Sequence, residues 1–404
     1  MRTTRLSRIR FFVLLLLLFL IVISFHPVIV NIGRGAGLSH GSILSRYIIL
    51  VYGVLFVFCL NVKSMLKPRL IRVCWGIYFV IGLYFIITLG FFGSTTMMED
   101  VRSIAICLVA IMIGWQLDLN DKQYKTLLLF FSLTAVFVGL MQVFINVGGF
   151  VINDLNYADS KNSLGVILAT SSVIFLFMGI NRKQAGLVKW SYIGLFVLTI
   201  VILLTIRSRA DTLAVIIVLL YVLYERYKKN HFVFYFIIVA MLLFLLFVFM
   251  PASIKDYVYN SFTQNSHGDI TSGRLERNET ALRFLSYHIW FGNLTENIQI
   301  AQVHNYVFNR AFEFGVIFVF PIILLYLYLL LNVVSKTIKS DNHNMFTIGY
   351  YILLIPFIVS LAEPTFPFGP GTATVFNYIL FGMSLKYSYY NRQNNYIDET
   401  LPHL

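Results

Sequence analysis

The chain has 404 residues, 58% of them hydrophobic, 16% aromatic and only 12% charged. A water-soluble fold has no interior large enough for that share of apolar side chains, which excludes the soluble classes and points to the membrane. The net charge of +13 sits mostly in short segments between apolar runs, so it reads as a topology signal and not as a sign of nucleic acid.

In chain order, Arg2 to Arg10 precede a Leu/Phe run in the manner of a secretory signal. The run is too long for a signal and no small-residue cleavage site follows, so it is expected to stay as a first span. Twelve apolar segments are predicted as spans: 11–30, 43–60, 71–92, 102–117, 124–148, 162–180, 188–206, 210–224, 232–250, 314–334, 345–362 and 372–388. In lipid the backbone must satisfy its own hydrogen bonds, so each is predicted to be a helix. The fold class is therefore all-α: a polytopic membrane protein of about twelve transmembrane helices, one integral membrane domain over 1–404. Cys59, Cys74 and Cys107 all fall within these spans and read as buried thiols.

With the N-terminus in the cytoplasm, 20 of the 31 Lys and Arg residues lie on the cytoplasmic side, as the positive-inside rule requires. Both termini are then cytoplasmic. Eleven of the 13 lysines are inside, whereas the 18 arginines divide evenly. Arginine is thus retained on the outer face, where its planar fork suits phosphate.

Most connections are short. The exception is 251–302, a large extracytoplasmic loop whose four basic and five acidic residues nearly balance. A loop of that length is usually functional. Its middle, Arg274 to Trp290, reads as an amphipathic helix with Arg274, Arg277, Ala281, Phe284 and His288 on one face and Leu275, Leu282, Leu285 and Ile289 on another. The next helix is expected to begin with polar residues at the outer boundary, and helical spacing puts His304, Phe308, Ala311 and Gly315 on one face.

Ionisable groups at the membrane edge are costly and so are functional candidates. Arg207 and Arg209 lie in the tight outer turn Thr205–Asp211, with Asp211 as a salt-bridge partner for one of them in the bland reading. His304 is a candidate proton acceptor near neutral pH, against the commoner role of a capping or packing histidine. Asn162 and Glu363 are weaker candidates, as readily caps or packing contacts.

These residues resemble the O-antigen polymerase and O-antigen ligase superfamily, membrane glycosyltransferases of the GT-C type. The matching pieces, in order, are Ser208-Arg209-Ala210 after an outer turn, Ser272-Gly273-Arg274-Leu275 with Trp290-Phe291-Gly292 in the large loop, and His304-Asn305 ahead of Glu313 and Gly315. They cover roughly residues 150–335. The resemblance implies transfer of a glycan from undecaprenyl pyrophosphate at the outer face of the bacterial cytoplasmic (inner) membrane, without metal or other cofactor and with inversion at the sugar. Carried over, Arg209 and Arg274 bind the pyrophosphate and His304 acts on the acceptor hydroxyl. Arg207, Arg277, Asn305 and Arg310 complete the set as substrate-binding residues, with Arg207 and Arg277 able to exchange roles with their neighbours. The implied partners are lipid-linked donor and acceptor, membrane lipids, a chain-length regulator and a flippase.

Polymerase and ligase share this set of residues, and the polymerase reading is preferred because polymerases are the more numerous members. A transporter or flippase is the rival of another class, but no internal repeat is evident and the ionisable groups gather at one face. A cytoplasmic nucleotide-sugar enzyme would want an Asp-x-Asp pair; Asp118 and Asp121 are three apart.

Overall fold

A computed structural model describes residues 5–30, 42–93, 95, 97–147, 155–180, 186–206, 208–226, 274–294, 303–338, 344–369 and 372–400. Among the described residues there is no strand. The main helices are α1 (Arg5–Ile23), α2 (Ser42–Cys59), α3 (Arg69–Phe92), α4 (Met97–Gln116), α5 (Asp121–Val147), α6 (Leu155–Ile180), α7 (Gly186–Thr205), α8 (Arg209–Arg226), α9 (Arg274–Tyr287), α10 (Tyr306–Ile338), α11 (Ile348–Val359) and α12 (Val375–Thr400).

Six of them, α1, α3, α5, α6, α7 and α10, are long and apolar enough to cross a membrane. The protein is thus an all-α membrane protein. The helices α2 and α11 are apolar but shorter. Charges explain why α4 and α8 fall outside the six: Glu99, Asp100 and Arg102 sit in the first turns of α4, and α8 carries Arg209 and Asp211 at its start and Glu225 and Arg226 at its end. The second half of α12 is polar.

Helices cover eleven of the expected segments; 232–250 lies outside the described residues. The first segment differs in its limits. Helix α1 ends at Ile23, and the chain turns through Ser24-Phe25 to Pro27, whose ring disfavours helix in the residue before it. The segment 345–362 is a single 3-10 turn at Met345–Thr347 followed by α11 and a turn from Ser360.

Helix α6 is the hub. Over Asn162–Ile180, 94% of its apolar window is buried, against 22% for α3 and for α7, whose outer faces are left for lipid. Its small residues, Ser163, Gly165, Ala169, Thr170, Ser171 and Ser172, let α5, α7, α8 and α11 approach closely. Asn377 of α12 donates to Thr170 Oγ1 at 3.0 Å and to the Ile352 carbonyl at 3.2 Å, joining three helices at a buried point. Helices α4 and α12 pack through paired glycines. A Cβ on Gly114 would lie 2.0 Å from the Ile379 carbonyl oxygen, and one on Gly382 would lie 2.2 Å from that of Ile111.

The antiparallel arrangement sorts the charges. One end of the bundle gathers the starts of α1, α5 and α7 and the segment between α2 and α3, with Arg5, Arg8, Arg10, Lys63, Lys67, Lys122, Lys125 and Lys189. The other end gathers Asn162, the α7–α8 turn, α9, the start of α10 and the turn after α11.

Candidate functional site

Five chain segments meet at that second end. The α7–α8 turn is closed by backbone: Ser208 N–H donates to the Leu203 carbonyl at 3.1 Å, and Thr212 N–H to the Ser208 carbonyl at 3.0 Å. Ser208 immediately precedes α8, and its hydroxyl donates to Asp211 Oδ2, three residues on. This pair is buried: Ser208 is 2% and Asp211 1% exposed. Both press on Gly165 of α6, where a Cβ would lie 2.1 Å from Asp211 Oδ2 and 2.5 Å from Ser208 Oγ. Asp211 Oδ2 takes this hydroxyl contact; Arg207, one of its two expected salt-bridge partners, lies outside the described residues. Asp211 Oδ1 has no hydrogen-bond partner among the described residues. A buried carboxylate of this kind is costly unless something else at the site stabilises it.

His304 stands just before α10, with its side chain 22% exposed. Its Nε2 is 3.0 Å from Arg277 Nη1, and its Nδ1 is 4.0 Å from Glu363 Oε2. A guanidinium only donates, so Nε2 is the acceptor and the neutral ring carries its proton on Nδ1, facing Glu363. Glu363 is 6% exposed, and its Oε2 accepts from Asn162 Nδ2 at 3.0 Å. Residues from α6, α9, the start of α10 and the end of α11 thereby form one chain of polar contacts: Arg277, His304, Glu363, Asn162.

Two devices hold His304 in place. Asn305 caps α10, accepting from Phe308 N–H at 3.1 Å and donating to the Leu361 carbonyl at 3.2 Å, while Tyr306 N–H donates to the Ser360 carbonyl at 3.0 Å. These bonds tie the start of α10 to the turn that carries Glu363. The second device fixes Arg277. Helix α9 packs Ala281 and Phe284 on Phe312 of α10, so the face with Arg277 turns inward and Leu282 and Ile289 stay exposed. Beyond α9 the chain dips to Gly292 (φ 56°), which meets a break in α10 at Gly315 (φ 70°, ψ 172°). The amides released by the break donate to this chain: Val316 N–H to the Ile289 carbonyl at 2.8 Å and Ile317 N–H to that of Trp290 at 3.4 Å. A side chain at either glycine would strike the other segment's backbone, with Gly292 Cβ 2.4 Å from Gly315 N and Gly315 Cβ 2.3 Å from the Trp290 oxygen.

This corrects one expectation. His304, Phe308, Ala311 and Gly315 do not form a helical face, because α10 begins only at Tyr306 and its regular geometry is interrupted at Gly315.

The remaining candidates are placed as follows. Arg209 opens α8 and is half-buried. Arg274 opens α9, but its side chain lies outside the described residues, as does Arg207 altogether. Arg310 is turned into the protein. Its Nη2 is 2.8 Å from Asp100 Oδ1 and its Nη1 is 2.7 Å from Glu313 Oε2, and its guanidinium lies 5.4 Å from the centre of the Tyr306 ring. Asn309 supports Glu313 at 2.9 Å. This network fastens α10 to the start of α4. Sequence reasoning had no view of Asp100 or Gly165, since their importance comes only from what they face. Acids at the ends of apolar runs were the available signal for Asp100, Asp211 and Glu363. Among the described residues no three His, Cys, Asp or Glu side chains gather as a metal site.

No model of a known protein family matches the chain, and no curated protein matches it.

Proposed function

We propose that the protein is a polysaccharide polymerase of the O-antigen polymerase and ligase kind. It moves a glycan from undecaprenyl pyrophosphate onto a second lipid-linked repeat unit. In this reading the chain crosses the membrane about twelve times, both termini are cytoplasmic, and 251–302 lies outside. The end bearing His304 then faces outward, where positive-inside sorting leaves arginine but little lysine.

The observation that carries the reading is the seating of His304 between Arg277 and Glu363. An acceptor hydroxyl attacks the anomeric carbon of the donor sugar. The bond from that carbon to the pyrophosphate oxygen breaks, and the hydroxyl proton passes to His304 Nε2. The imidazolium so formed is stabilised by Glu363 on its Nδ1 side. The departing pyrophosphate takes its negative charge to arginines, which needs no metal in principle. Arg209 and Arg274 begin helices on either side and are assigned to this anion. Arg277 has a double part. Its Nη1 lies against Nε2; in this reading a bound pyrophosphate draws the guanidinium to itself and leaves Nε2 ready for the acceptor. Arg310 and Asn305 are assigned to holding the start of α10.

The test is reconstitution. Protein in liposomes, given lipid-linked repeat units alone, is expected to give a ladder of longer glycans, with one polyprenyl pyrophosphate released per bond formed. No ladder from active, folded protein would overturn the polymerase reading. Transfer only to a lipid A–core acceptor would make it a ligase.

A further inference from the structure

A second site lies at the opposite, lysine-rich end of the bundle. There the start of α1, the α4–α5 connection and the second half of α12 enclose a cavity of about 840 Å³. That is within the range of small-ligand sites, roughly 300–1,000 Å³. Its walls include Arg10, Asp118, Tyr124, Lys386, Tyr387 and Tyr390. None of these residues takes part in the arrangement around His304.

The charge in this cavity does not balance. Lys386 Nζ pairs with Asp118 Oδ1 and donates to the Leu117 carbonyl at 3.3 Å, so these two charges cancel. Arg10 remains. Its Nε donates to the Phe58 carbonyl at 2.9 Å, which fixes the plane of the guanidinium. Its two Nη groups have no partner among the described residues. Arginine stays charged at any working pH, and its fork matches phosphate oxygens. Tyr124 adds only its ring to the wall, its hydroxyl being buried away from the cavity.

The surroundings indicate the kind of anion. Phe346 stacks between Tyr124 and Tyr387, at ring separations of 4.6 and 5.2 Å. Tyr389 and Tyr390 are 37% and 42% exposed beside them. Tyrosines with apolar bodies and polar tips mark the headgroup depth of a bilayer. Exposed Arg8, Lys122 and Lys125 at the same end would draw anionic lipid towards it.

We infer that this cavity binds the headgroup of an anionic phospholipid from the adjoining leaflet, with the phosphate on Arg10. The inference stands apart from the proposed polymerase activity.

The probe is phosphatidylglycerol with a photoreactive diazirine on its headgroup, present as a minor component in phosphatidylcholine nanodiscs that hold the full chain. Crosslinks mapped by peptide mass spectrometry are expected at the α12 segment bearing Tyr387 and Tyr390. Unlabelled phosphatidylglycerol should compete them away; phosphatidylcholine and inorganic phosphate should not. Arg10→Gln should lower the yield roughly tenfold, as loss of a charge-assisted contact implies. Arg283→Gln, on an exposed arginine of α9 at the opposite end, should leave it unchanged. Should Arg10→Gln fail to fold, Arg10→Lys serves instead. It keeps the charge but loses the fork, and is expected to lower the yield severalfold. Yields unaffected by the variant that folds would overturn the inference. So would equal competition by phosphatidylcholine, while equal competition by inorganic phosphate would show a site for soluble anions and not for lipid.

Discussion

Arg277 Nη1 lies 3.0 Å from His304 Nε2, so the nitrogen that the proposed chemistry needs as a base already has a guanidinium against it. This makes a prediction that needs no activity assay. In substrate-free protein His304 should react slowly with diethyl pyrocarbonate, which attacks unprotonated imidazole. Arg277→Ala should speed modification at His304 severalfold, read by peptide mass spectrometry. Equal rates in the two proteins would contradict the blocked-base arrangement. In transfer assays Arg277→Lys keeps the charge but loses the fork, and is expected to cost roughly 10²–10³-fold in rate if Arg277 is a main electrostatic group.

Gly165 should be as critical as any charged residue of the site. An alanine there places a carbon 2.1 Å from Asp211 Oδ2 and 2.5 Å from Ser208 Oγ, and must displace this buried pair. The expected loss is about 1–3 kcal/mol of stability from overpacking, together with loss of transfer. Gly76→Ala is the control, since a Cβ there meets nothing within 4 Å. Thermal unfolding in detergent should separate the two; equal midpoints would show that the close approach at Gly165 is not needed.

Helices were legible in the sequence because apolar runs of membrane length have few alternatives. The grouping of arginine and histidine at one end was legible for a related reason, since loop charges sort by side. Pairings were not. Asn162 and Glu363 looked no better than caps, and only the fold brings them to within 3.0 Å. Arg310 read as a substrate ligand because Asp100, far away in sequence, could not be seen as its partner. The face through His304 and Gly315 misled for a local reason. A helical projection assumes an unbroken helix, and Gly315 marks the place where α9's following turn enters α10.

The assignment of Arg310 to the scaffold can be tested against a substrate-binding role. Arg310→Met leaves Asp100 buried without its guanidinium and should destabilise the protein by about 3–5 kcal/mol. Asp100→Leu with Arg310→Met removes both charges, and most of the stability should return. Affinity of the double variant for lipid-linked donor should match wild type. A large loss of affinity in a stable double variant would return Arg310 to the substrate.

Orientation has a simple test, because Cys59, Cys74 and Cys107 are all buried and give little background. A cysteine in place of Arg283, whose side chain is 77% exposed on α9, should react with a membrane-impermeant maleimide in intact spheroplasts. Lys122→Cys, exposed at the other end, should react only after lysis. The reverse pattern would invert the topology and move the His304 end to the cytoplasm.

The most direct test of the central claim is glycan extension by His304→Ala in purified, reconstituted protein, measured alongside binding of the lipid-linked donor. The arginines remain in this variant, so donor binding should stay near wild type while extension falls by roughly 10²–10⁴-fold, the usual contribution of a general base. Extension at the wild-type rate by folded His304→Ala would contradict the account and leave His304 as a packing residue at the start of α10.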